Sequence, residues 1–330
     1  MNAHTLLGAV MIGALVFYAL FAGADYGGGV WDILAGGARA KKQRAHIENA
    51  IGPIWEANHV WLILVVVVLF TGFPPAFGAL ATRMFVPVHV LLIGIVLRGA
   101  AFTFRHYDSR EDRVQRRWGL VFSTSSVIAP IMLGIVVGCV SSSRHWRSAF
   151  PFAVGLFAVA LFSFIAAAYL AAEAEGELRE DFRRRALGAG AAVGALALVV
   201  FALSWTEAPL IRRGLTERPW SWPLHAATGA AAVLAFWALW VRRHRLARAA
   251  AAAQVALIVL GWGASQYPFL IVPDVTLSNA SAPRATQVML LWALAAGSVL
   301  LFPSLYFLFR IFKGERAFAI LEDRPPGRAR

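Results

Sequence analysis

The sequence predicts an all-α integral membrane protein with nine transmembrane helices, and three observations carry that prediction. Of 330 residues, 59% are hydrophobic and only 15% are charged, with a mean hydropathy of +0.64, whereas soluble domains hold roughly a quarter charged residues. Nine apolar segments reach the length of about 20 residues that a helix needs to cross a bilayer core of about 30 Å. The basic residues fall between those segments, alternately many and few.

The segments run over residues 5–24, 52–72, 76–104, 118–142, 149–172, 186–205, 222–241, 249–271 and 286–312. The first has no basic residue before it and "RAKKQR" after it, the reverse of a secretory signal peptide, and is expected to be retained with its N-terminus outside. The eighth meets Pro268 and Pro273 at its end, and proline cannot continue a helix. If successive connections alternate sides, those after spans one, three, five and seven, with the segment from Arg310 onward, hold 23 of the 31 Lys and Arg residues. The opposite side holds seven, counting Arg83, and Arg98 lies within the third span. The positive-inside rule then places the first set and the C-terminus in the cytoplasm, as expected of a multi-pass protein of a bacterial inner membrane. Short connections leave one transmembrane domain over 1–330, with a first bundle at about 1–142, a second at about 149–271, a last span at about 286–312 and a tail over 313–330.

The formal charge of +13 raises nucleic acid as a partner, but the basic residues form no single face or stripe. The single Cys139 rules out an intrachain disulfide and a multi-cysteine metal site, and an inert packing role is expected for it. "GADYGGG" has the close glycines of a dinucleotide fingerprint but follows a membrane span, outside any βαβ unit; Gly27 to Gly29 are expected to admit close helix approach. Trp146, Trp205, Trp220 and Trp222 stand near outer span ends, where indole rings anchor at the interface.

Ionisable residues inside the spans are few, and such residues usually mark a pathway or a pair because each costs about 2.5 to 3.5 kcal/mol in the hydrocarbon. Asp25 sits near the cytoplasmic end of span one, Glu56 and His59 in the first turns of span two, and Arg98 near the cytoplasmic end of span three. Four ionisable side chains from three helices are thus expected at one depth. A spacing of three puts Glu56 and His59 on one helix face. The group suits proton uptake, with a carboxylate withdrawn from water, an imidazole that titrates near neutrality and a fixed guanidinium. It equally suits a packing device in which Asp25 and Glu56 pair with Arg98 while Asn58 and His59 bond between helices. His89, alone in an apolar helix, reads as a packing residue. Glu56/His59 is the only Glu-x-x-His pair in the chain, short of what a di-iron bundle needs, and haem ligation by His59 or His89 lacks an evident second axial residue. No metal is expected.

"FAGADYGGGVWDIL", "IGPIWEANHVWLIL", "FPPAFGALATRMFVPVHVLLIGIVLRGAAFTFR" and "SQYPFLIVPDVTLSNASAPR" together resemble subunit II of cytochrome bd-type quinol oxidases, nearest in flavour to the cyanide-insensitive branch. The run from Trp55 to Trp61 is the most specific piece. The resemblance implies a heterodimer with a haem-bearing subunit I, each subunit having two four-helix bundles and a peripheral helix, in a complex that oxidises quinol and reduces oxygen to water. It implies that haem b and haem d, with the quinol-oxidising loop, belong to subunit I and that this chain binds no haem iron. A bound quinone or lipid and small accessory subunits fit the same picture.

The resemblance also implies that Asp25 and Glu56 carry cytoplasmic protons toward the oxygen-reducing haem, with His59 beside them and Trp55, Asn58, Trp61 and Arg98 in supporting positions. Glu56 stands where relatives often have Asp, and Thr103 where they often have a carboxylate. Two other readings stay open. One is an independent proton-coupled secondary transporter, although no inverted repeat or mid-membrane broken helix is evident; the other is a purely structural scaffold for subunit I.

Overall fold

The computed structural model describes residues 2–107 and 112–313, and the side chains within them other than those at 52–57, 105–107, 112–116, 309 and 311–313. The predicted tail over 313–330 lies outside the described residues except for Lys313, which ends the last helix. The described residues are all-α apart from one short hairpin. Its helices are α1 (Ala3–Ile33), α2 (Ala40–Gly72), α3 (Pro74–Arg83), α4 (Phe85–Tyr107), α5 (Asp112–Ser142), α6 (Ala149–Glu173), α7 (Gly176–Glu207), α8 (Pro209–Thr216), α9 (Ser221–Trp240), α10 (His244–Gln266) and α11 (Arg284–Lys313). Strands β1 (Phe269–Ile271) and β2 (Val275–Thr276) pair antiparallel between α10 and α11. Among the described residues, eight helices are long and apolar enough to span a membrane; a ninth is reached by counting residues 58–72 with α3, which is bent from it by 115°.

Several predicted boundaries move. The run 76–104 is not one helix, because α3 ends at Arg83 and α4 begins at Phe85. Pro74 and Pro75 start α3 at its first positions, where a missing N–H leaves no bond unmade. Pro87, lacking an N–H, cannot bond the Arg83 carbonyl one turn back, so α3 does not run on into α4. The eighth span stops at Gln266, ahead of Pro268, and the residues to 271 enter the hairpin. The first span extends well beyond residue 24, since α1 has 31 residues, about 46 Å at 1.5 Å per residue. Helix hydrogen bonding continues past the apolar run, so Asp25 lies two turns from the helix end. For the same reason most of the basic residues assigned to connections stand on helix ends: Arg179, Arg183, Arg184 and Arg185 lie in the first turns of α7. There Arg39 donates to Asp181 at 2.7 and 2.9 Å, and Arg185 to Gln43 at 2.8 Å, tying the α1–α2 connection to α7.

α1 is the central element, packed against α2, α5, α6, α10 and α11. Its three consecutive glycines explain how so many helices reach it. A methyl group on Gly27 would lie 2.0 Å from the Phe162 carbonyl oxygen of α6, one on Gly28 2.0 Å from the Ile51 Cδ1 of α2, and one on Gly29 2.1 Å from the Ser126 hydroxyl of α5. Each glycine thus admits a different neighbour. Around this contact a continuous core gathers Tyr18, Tyr26, Ile47, Ile51, Phe164 and Leu170. Two of the tryptophans expected at outer span ends carry arginines over their rings, Arg212 over Trp205 and Arg147 over Trp146, at 4.6 and 4.7 Å from the ring centres.

The two α1 glycines that meet α6 and α2 are not equivalent. Gly27→Ala meets backbone and is expected to cost about 1 to 3 kcal/mol in stability. Gly28→Ala meets the tip of an isoleucine that can change rotamer and is expected to cost less. Thermal unfolding of the two variants in detergent, followed by circular dichroism, checks the order.

Candidate functional site

The face of α1 that carries Asp25, Gly29 and Asp32, spaced by four and three residues, points at α4 and α5. Arg98 comes from α4, two turns before its described side chains end, and is 1% exposed; Asp25 is fully buried. The guanidinium grips the carboxylate in a two-pronged contact, Nη1 to Oδ2 at 2.7 Å and Nη2 to Oδ1 at 2.6 Å. Nη2 also donates to the Asp25 backbone carbonyl at 3.0 Å, and Nε to the Ser126 hydroxyl at 2.9 Å. Ser126 in turn donates to the Phe122 carbonyl one turn back at 2.7 Å, so its oxygen is aimed at Arg98. The absence of a side chain at Gly29 lets that hydroxyl come so close. Rings of Tyr26 and Phe122 lie 4.8 and 4.6 Å from the guanidinium carbon and shield it from lipid.

Asn58 of α2 is fully buried and donates from Nδ2 to Asp25 Oδ2 at 3.3 Å, while its Oδ1 meets no partner among the described residues. His59, the next residue, is half-buried. Trp61 is buried and stacks on Phe17 of α1, ring centres 4.3 Å apart. The structure therefore brings together Asp25, Asn58 and Arg98, with Trp61 bracing α2 against α1. The side chains of Glu56 and Trp55 lie outside the described residues; their backbone continues α2.

His89 departs from expectation. Its side chain is exposed on the outer face of α4 rather than packed inside, with Nδ1 2.7 Å from the Phe85 carbonyl and the ring against that of Phe85. Among the described residues, no three His, Cys, Asp or Glu side chains come together as a metal site would need. Thr103 turns its hydroxyl back to the Gly99 carbonyl at 3.1 Å.

The sequence matches the model of the family described as cytochrome bd terminal oxidase subunit II over residues 3–312. The chain belongs to that family. A Bacillus subtilis (strain 168) relative named "Putative cytochrome bd menaquinol oxidase subunit II" is 23% identical over 96% of this chain and 97% of its own length. The Escherichia coli (strain K12) "Cytochrome bd-I ubiquinol oxidase subunit 2" is 28% identical, over 40% of this chain and 33% of that protein. The fold is that of a chain in the bd oxidase structure from Geobacillus thermodenitrificans, with a TM-score of 0.79 at 22% identity over 94% of this chain and 99% of that one. Membership in the bd subunit II family displaces the independent-transporter reading. It makes the chain a multi-pass subunit of a haem-containing oxidase and implies a subunit I partner.

Two participants in this subunit II were missed in the sequence. Ser126 gave no signal until α5 was placed beside Gly29. Asp32, 5% exposed and accepting a hydrogen bond from Ser123 at 2.8 Å, was passed over because span one was ended at residue 24. The spacing from Asp25 to Asp32 of seven residues, two turns on one helix face, was the available signal.

The ion pair makes a stability prediction. Asp25→Leu leaves Arg98 buried without its carboxylate and is expected to destabilise the subunit by about 3 to 5 kcal/mol. Adding Arg98→Leu removes the stranded charge, and the double variant is expected to recover most of that loss. Thermal unfolding of the single and double variants, compared in one detergent, checks it.

Proposed function

We propose that this chain is the haem-free subunit II of a quinol-oxidising bd-type oxidase, which braces the haem-bearing subunit I and delivers cytoplasmic protons toward its oxygen-reducing haem. The complex would oxidise quinol and reduce oxygen to water, with haem b and haem d held by subunit I. Taking the protons of that reaction from the cytoplasm would add to the proton-motive force. The names of the relatives, a menaquinol and a ubiquinol oxidase subunit, support the quinol substrate.

One observation carries the proton-delivery reading: a buried group of Asp25, Arg98 and Asn58 joins α1, α4 and α2 beside the turn of α2 that holds Glu56 and His59. A membrane protein that needed only helix packing could use apolar contacts, because a buried ion pair is often no more stabilising than hydrophobic residues of the same volume. In the proposal Glu56, Asp25 and His59 handle the proton, Arg98 keeps the field of the group fixed, and Asn58, Trp55 and Trp61 hold α2 in register. The distribution of basic residues supports an N-terminus outside and a C-terminus in the cytoplasm, with the α1–α2 connection on the uptake side of an inner membrane.

The two-pronged Arg98–Asp25 contact also favours a second reading, in which the group is only a scaffold. Glu56→Gln in the intact complex separates them. With haem absorption spectra unchanged, quinol-driven oxygen consumption is expected to fall at least tenfold, about 1.4 kcal/mol in barrier. Unchanged turnover at normal haem content would leave the scaffold.

A further inference from the structure

On the far side of the molecule from the acidic group, α7 and α9 leave a groove between them. α7 packs on α6 and α9 on α10. The two come close where Phe236 lies against Gly190, near enough that a methyl group on that glycine would be 2.8 Å from the ring. Around this point Leu187 of α7 and Ala232, Val233, Phe236, Trp237 and Trp240 of α9 line an open groove of about 620 Å³, a size that takes small apolar ligands. The α9 residues recur at intervals of four and cover one helix face over eight residues, about 12 Å. The lining is almost wholly apolar, and Val233 and Trp240 are 70% and 76% exposed.

The end of the groove at Trp240 is cationic. α9 closes there in a turn whose Arg243 N–H bonds the Ala238 carbonyl at 2.8 Å. In that turn Arg242 has a φ of +60°, the left-handed conformation that glycine usually supplies after a helix. An arginine kept there against backbone strain points to a use for its side chain. Arg243 sets its guanidinium 5.5 Å from the centre of the Trp237 ring, at the wall of the groove. Arg183, one turn before Leu187, donates to the Leu239 carbonyl at 3.2 Å and fastens α7 to the end of α9. Arg183, Arg184 and Arg242 share one carboxylate, Glu180, at 2.7, 3.2 and 3.7 Å. With Arg243, four arginines stand at this end against that one acid, and the side chains of Arg184 and Arg242 stay largely exposed.

We propose that the groove binds an anionic phospholipid, with one acyl chain along α9 and the phosphate held by Arg242 and Arg243. Surplus positive charge beside an apolar slot matches a ligand with an anionic head and an apolar chain. Guanidinium groups pair with phosphate through parallel N–H donors, and basic pockets between membrane helices on the cytoplasmic side take lipid headgroups. The distribution of basic residues supports that side for this end. An apolar helix of a partner would cover the slot but give the arginines no anion. Lying in the seam, the lipid ties α7 to α9. The site stands apart from the proton-delivery reading.

The test uses the intact oxidase complex in detergent, titrated with phosphatidylglycerol or phosphatidylcholine of the same chains, with bound lipid read by native mass spectrometry. Phosphatidylglycerol is expected to bind at least about tenfold more tightly than phosphatidylcholine. The double variant Arg242→Gln/Arg243→Gln, which removes the head contacts, and Val233→Trp, which fills the slot, are each expected to weaken phosphatidylglycerol about tenfold. Lys41→Gln and Val299→Trp, exposed positions on α2 and α11, are expected to leave it within about twofold. Equal affinity for the two lipids overturns the site, as does equal weakening by the controls, which would mark general attraction to the surface. Unchanged binding in Val233→Trp overturns the groove as the seat of the chain. Loss of subunit I or of haem in Val233→Trp would make this face a protein contact and also overturn the site. If the double variant does not assemble, Arg243→Gln alone decides: weaker binding upholds the site and unchanged binding overturns it.

Discussion

A guanidinium buried among membrane helices must find its whole set of partners inside the protein, and the arrangement around Arg98 follows from that requirement. Arginine stays charged at any physiological pH, so the only route to burying it is to bring a carboxylate, oxygen acceptors and ring faces to it. Asp25 supplies the anion and a backbone carbonyl, Ser126 a hydroxyl, and Tyr26 and Phe122 the faces. These come from α1 and α5 and meet a residue of α4, so satisfying one side chain fixes the mutual rotation of three helices. Asn58 adds the fourth, since its amide reaches the same carboxylate from α2.

Such directional demands are met only if the backbones approach closely. Glycine at 27, 28 and 29 removes the side chains that would keep α6, α2 and α5 away from α1. The electrostatic requirement and the steric permission are therefore adjacent on one helix, with Asp25 and Tyr26 immediately before the glycines. Dispersion between close backbones, which drives much of helix association in lipid, and the ion pair then act on the same contacts.

Much of this was legible in the sequence, for reasons that can be stated residue by residue. Nine apolar runs and the sorting of basic residues predicted the spans, because bilayer thickness imposes a length on every crossing helix. Asp25, Asn58 and Arg98 stood out because polar groups in such runs are rare. What stayed hidden was geometry that depends on partners distant in the chain. The break between α3 and α4 required weighing Pro87 against an otherwise continuous apolar run. The outward position of His89 could not be read because every face of α4 is apolar, leaving no periodicity to separate inside from outside. Several helix ends, among them the end of α1 and the starts of α2 and α7, were placed inside the observed helix, since hydropathy reports where lipid stops and not where backbone hydrogen bonding stops. The role of Ser126 needed a tertiary contact, and serine in an apolar helix has too many ordinary uses to be informative alone.

The three glycines of α1 also bear on how freely this protein can vary. A residue that crowds one neighbour can be tolerated when that neighbour becomes smaller, so an exchange needs one compensating change. Here three successive positions answer to three separate helices, one of them through a backbone carbonyl that no substitution can shrink. Drift at this point would require coordinated replacements on α2, α5 and α6, and at the α6 contact a shift of the helix itself. The segment is therefore a poor place to introduce labels, tags or stabilising alanines, and a chain designed to imitate this fold would have to reproduce it before choosing any side chain of the acidic group.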